Sequence, residues 1–181
     1  MQGNISSSFV RPELLKRIAI YGLMTLILGS AQCSFFPILK ICPKTPDLIM
    51  GMLLAITLID SPKSAAVTAL AAGFFIDAIG GGALSLSPIV YTLFVVFISI
   101  FAHKMLSGFA SYAILMIPTL FYRAAATAVC IALENKTFFS ASELFSIILP
   151  EALSTAIVCL PLYFIVRLCA APLETHGKFT F

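Results

Sequence analysis

TPDLIMGMLLAITLIDSPKSAAVTALAAGFFIDAIGGGALSLSPIVYTLFVVFISIF, residues 45–101, holds three apolar runs separated by two short polar breaks. The first run, Leu48 to Ile59, opens with Pro46-Asp47 and closes with Asp60-Ser61-Pro62-Lys63. The second, Ser64 to Ile79, stops at Gly80-Gly81-Gly82, and the third, from about Leu84 to Phe101, carries Pro88 in its first turns. Runs of this length with so few charges are helices whose surroundings are lipid or other helices. The first run is short. With its flanking residues it rises only about 22 Å against about 30 Å of hydrocarbon, so it must thin the bilayer or be enclosed by neighbours. Pro46 suits a first helical turn, and Asp47 suits the positive end of the helix dipole.

Outward from this stretch the pattern continues. Arg11, Lys16 and Arg17 precede an apolar run from Ile18 to about Leu39, longer than a signal-peptide core and so read as an uncleaved span. A fifth run extends from about Phe109 to Leu133, a polar loop follows to Glu143, and a sixth runs from Leu144 to about Ala171, with Pro172 marking its end. The whole chain has 181 residues, of which 60% are apolar and 10% charged, and its mean hydropathy is +1.06. A soluble globule of this size has too little interior for that apolar content. The expected fold class is therefore all-α: a polytopic integral membrane helix bundle of about six transmembrane helices. Residues 1–17 form a tail, 18–171 the membrane domain, and 172–181 a second tail.

Basic residues orient the bundle. With the N-terminus in the cytoplasm, Arg11, Lys16, Arg17, Lys63, Lys104, Arg167 and Lys178 fall inside, and Lys40, Lys44 and Lys136 outside. Seven against three places both termini in the cytoplasm. Five cysteines include no Cys-x-x-Cys pair, and two histidines cannot complete a zinc site, so the cysteines read as small apolar fillers. Spacing leaves a bridge from Cys42 to Cys33 or Cys130 open without asking for one.

Three ionisable residues lie within the spans: Asp77, Arg123 and Glu151. Each is costly in hydrocarbon and is a functional candidate by default. The topology places all three in the outer half of the membrane, where Arg123 can pair with Asp77 or Glu151, snorkel to headgroups, or meet a partner or ligand. Asp77 sits at the negative end of its helix dipole and needs a cation, for which Arg123 is the best available. It also ends a row of small residues, Ala65, Ala69 and Gly73, each four apart, so the third span reads as the central packing helix. Ala124, Ala125, Ala126 and Ala128 form a second small patch, read as a counterpart to that row. No lysine follows the triple glycine at the spacing of a phosphate loop, and no catalytic pair or cofactor motif emerges, so the chain reads as a non-enzyme that needs no cofactor and binds no nucleic acid.

Residues 45–101 resemble the rod shape-determining protein MreD family. That family is small and polytopic, opens its second span with Pro-Asp or Pro-Asn, here Pro46-Asp47, and carries a Gly-x-x-x-Asp-x-x-x-Gly element at the end of its third, here within Gly73 to Leu84, with Asp77 and the glycine run that starts at Gly80. Where the family has Leu-Gly after the turn, this chain has Leu84-Ser85. The resemblance implies a non-catalytic scaffold of the bacterial cell-wall elongation machinery, multi-pass in the inner membrane. Its implied partners are the bitopic protein MreC and, through it or directly, the MreB filament and the peptidoglycan synthases. The competing expectation is a substrate-binding subunit of an energy-coupling-factor vitamin importer, also a small six-helix protein. Against it, the first span lacks the Ala-x-x-x-Ala docking element of those subunits.

Overall fold

The computed structural model describes residues 12–35, 45–80, 86–103, 108–135 and 141–174. Every regular element among them is helical: α1 (Pro12–Ser30), continued by a π-helical turn (Ala31–Phe35), α2 (Leu48–Ile59), α3 (Pro62–Gly80), α4 (Ser87–Ala102), α5 (Phe109–Asn135) and α6 (Ala141–Glu174). Four stretches, in α1, α3, α5 and α6, are long and apolar enough to cross a membrane, whereas α2 and α4 are shorter apolar helices.

The short helix is the centre. Each residue from Leu48 to Leu58 is buried, and α2 touches all five other helices. An element apolar on every side must be enclosed on every side, and here protein, not lipid, encloses it. Two close approaches set its position. A Cβ on Gly51 would collide with the Cys159 side chain of α6. The buried Tyr112 hydroxyl of α5 donates to the carbonyls of Gly51 and Cys159, at 3.2 and 2.8 Å, tying three helices at one point.

The remaining helices form the wall. Ala65, Ala69, Ala72 and Gly73 of α3 are buried, and a Cβ on Gly73 would overlap the backbone of Pro88. The small row therefore lets α3 lie against the start of α4. Phe97 of α4 then stacks on Tyr122 of α5 and Phe94 packs tilted against it, while Phe109 and Tyr112 of α5 meet Tyr163 of α6. Outward-facing positions are apolar as well, among them Phe121, Ile157 and Leu168, each at least 70% exposed. Core and surface are alike oily, as a lipid solvent requires.

Five expectations need correction. The central packing helix is α2, not the third span, because α2 is buried along its length and touches all five other helices. The counterpart of the small row is Ser87 and Pro88 rather than the alanines of α5. The last helix passes through Pro172 to Glu174. Proline at that point removes one amide and disturbs one turn, which the closing turns of a 34-residue helix tolerate. Pro46 stands before the cap of α2 rather than in its first turn. Residues 12–17, read as tail, belong to α1. Cys42, Gly81 and Gly82 lie outside the described residues.

Candidate functional site

A 12-residue helix enclosed by protein ends inside the bundle, and its first amides have no intrahelical acceptor. In hydrocarbon each bare amide would cost several kcal/mol. The sequence meets this with side chains from three elements. Oδ1 of Asp47 accepts from the amide of Met50 at 3.1 Å, a side-chain N-cap. Oε1 of Gln32, in the π-helical turn after α1, accepts from the amides of Leu48 and Ile49 at 2.9 and 3.3 Å. The Asp47 amide donates to Oγ1 of Thr155 on α6 at 3.1 Å. Every donor at this helix start is thereby satisfied.

The cap brings a charge with it. Asp47 is fully buried. Its carboxylate faces the Arg123 guanidinium of α5, with Nη1 3.2 Å from Oδ2, and the hydroxyl of Tyr91, on α4, lies 3.4 Å from both of its oxygens. The same guanidinium donates through Nε to Oε1 of Glu151, on α6, at 2.8 Å. One arginine thus bridges two carboxylates on two helices, a task suited to a planar fork of five donors and beyond a point-charge lysine. With all three groups ionised the cluster carries one excess negative charge. The α2 N-terminus, worth about half a positive charge, points at it and offsets part of it.

Arg123 and Glu151 are therefore together, as the sequence leaves open, and Asp77 is not with them. The reason is topological: α3 packs on α1, α2 and α4, whereas α5 packs on α2, α4 and α6. Asp77 is half-buried, and its Oδ2 is enclosed with no hydrogen-bond partner among the described residues. Ala65 and Ala69 are fully buried at the helix contact; Gly80 is the last residue of α3.

Sequence reasoning gave Asp47 a cap and missed its ion pair; it missed Gln32, Tyr91 and Thr155 altogether. A signal existed. Twelve residues rise about 18 Å, so a helix anchored at one face of a 30 Å layer leaves its other end about 12 Å deep. Arg123 lies ten residues, about 15 Å, before Leu133. Matching depths make the two charges natural partners.

Beside the cluster is a narrow cleft between α5 and α6, lined by Leu120, Arg123, Ala124, Glu151 and Ala152, with a cavity volume of about 10 Å³. That is room for about one water. The Arg123 side chain keeps 27% of its surface exposed and that of Glu151 11%. Among the described residues, no group of three His, Cys, Asp or Glu side chains is placed to hold a metal ion.

At the opposite end of α2 the Asp60 carboxylate pairs with Arg17 and accepts from the Tyr21 hydroxyl at 3.1 Å, fastening α2 to α1. Comparisons with family models, curated proteins and solved structures returned no match for this chain.

Proposed function

We propose that this chain is a non-catalytic scaffold of the bacterial cell-wall elongation complex, working in the inner membrane by contact between helices. In this reading six helices lie in the membrane, both termini are cytoplasmic, and the Asp47–Arg123–Glu151 cluster sits in the outer half. The surface of the bundle holds an MreC-like bitopic protein, and through it the MreB filament and the peptidoglycan synthases are linked.

The observation that carries this reading is the filled centre. The centre of the bundle is occupied by α2, and the polar groups at its start bond to one another. A bundle with its interior committed to its own cohesion acts through its outer face. The residues of the resemblance fit the same role. Asp47 of the Pro-Asp pair caps the buried helix, and Gly73 permits the contact with Pro88.

The test is affinity capture of an MreC-like protein from membranes in which both are expressed, together with cell shape. Wild type captures it and supports rod growth; Arg123→Ala and Asp77→Ala weaken capture and round the cells. Intact capture and intact shape in both variants would sink the reading. A rise in unfolding temperature with a water-soluble vitamin, without capture, would assign the chain to the importer class instead.

A further inference from the structure

Contacts made by α2 set the relative heights of its neighbours. The Asp47 amide meets Thr155 and Gly51 meets Cys159, so α2 and α6 run side by side in the same direction. Eight residues further on each helix, about 12 Å, come Ile59 and Arg167. Arg17 of α1 pairs with Asp60, so Lys16, Arg17 and Arg167 stand at one level. α1 touches both α6 and α3, and α3 brings Lys63 to the same end, three residues after Asp60. Cations thus mark the ends of three neighbouring helices at one height. Among the described side chains the carboxylate at that height is Asp60, and Arg17 holds it, whereas Lys16 and Arg167 are exposed. Glu13 and Glu174 lie further out along the chain, accompanied by Arg11 and Lys178.

The same level is a boundary. The membrane-length stretches of α1, α3 and α6 begin or end near it, at Lys16, Pro62 and Ala171. On its membrane side the surface is oily: Ile18 and Leu23 of α1 and Phe164 and Ile165 of α6 are each more than half exposed. Orienting the bundle asks only for a count of cations on one face. It does not ask that they stand on touching helices, at one height, directly beyond an exposed apolar strip. A ligand that matches both features has an anionic head and an acyl body. A soluble anion leaves the strip unmatched, and a lipid without net charge leaves the cations uncompensated.

We propose that the seam between α1 and α6, at the Asp60 end, binds an anionic phospholipid, with its phosphodiester between Lys16 and Arg167 and its acyl chains along the apolar strip. The guanidinium meets a phosphate through paired donors, and the ammonium adds a point charge. This inference does not rest on the scaffold reading, since it needs only a chain that sits in a bilayer.

The test is native mass spectrometry of the full chain released from micelles that contain phosphatidylglycerol and phosphatidylcholine in equal amounts. One phosphatidylglycerol is expected to be retained in preference to phosphatidylcholine by on the order of twentyfold, about fivefold for each cation. Lys16→Gln and Arg167→Gln should each cut the preference about fivefold, and the two together should abolish it. Both side chains are exposed, so thermal unfolding should not change; if one variant loses stability, the other carries the test. Lys104→Gln, in the connection between α4 and α5, removes a charge away from the seam and should leave the preference as it is. Equal retention of the two lipids overturns the proposal. An equal loss from Lys104→Gln does so too, because it shows a diffuse surface charge in place of a site. Displacement of the lipid by glycerol 3-phosphate in the water assigns the cations to a soluble anion and also overturns it. Preferential retention in a chain that captures no MreC-like protein would remove the scaffold reading and leave this inference standing.

Discussion

The two ends of α2 solve the same problem in opposite ways. At the Asp47 end the carboxylate is fully buried and meets Tyr91 of α4 and Arg123 of α5, while the backbone amides are accepted by Gln32 of the turn after α1 and Thr155 of α6. At the Asp60 end the partners come from α1 alone, and the pair with Arg17 stays partly exposed. One end joins four elements around a fully buried carboxylate; the other is a latch between two around a partly exposed one. Burial of the carboxylate decides the difference: Asp47 stripped of its partner has no water to fall back on, whereas the partly exposed Asp60 does.

Breaking the buried end has the largest expected effect. Arg123→Met leaves Asp47 and Glu151 facing each other uncompensated and should cost about 3–5 kcal/mol, the usual penalty for removing one member of a buried pair. Unfolding in detergent, followed by circular dichroism, measures it. Gln32→Leu comes next. It keeps the charges but strips the acceptor from the amides of Leu48 and Ile49, which should cost about 1–3 kcal/mol; slower hydrogen exchange at those amides than in wild type would contradict it. Asp60→Asn, at the rim, should cost about 1 kcal/mol or less. A loss at Asp60 equal to that at Arg123 would erase the distinction between the ends.

Much of the architecture is legible in the residues because composition and run length report the solvent directly. Leu48 to Ile59 is bounded in the sequence by Asp47 and Asp60, and the helix has those same bounds. Its enclosure by neighbours was one of two options its shortness allowed. The site was less legible. Pairing depends on which helices are adjacent, and hydropathy does not encode adjacency. The sequence offered Arg123 two acidic candidates, Asp77 and Glu151; the packing of α5 against α2 and α6 selected Glu151 over Asp77 and added Asp47. Gln32 gave no signal of its own, since a lone glutamine within an apolar run shows no partner until the amides of Leu48 and Ile49 are placed beside it.

The central claim is that Asp47, Arg123 and Glu151 act as one unit holding the start of the buried helix. Its most direct test is the stability of the neutralised triple variant Asp47→Asn, Arg123→Met, Glu151→Gln beside that of Arg123→Met alone. Asparagine still caps a helix, and no unpaired charge remains, so the triple variant should recover most of what the single change loses. A triple variant less stable than the single one, by the sum of its separate costs, would show that the three side chains do not form a coupled cluster.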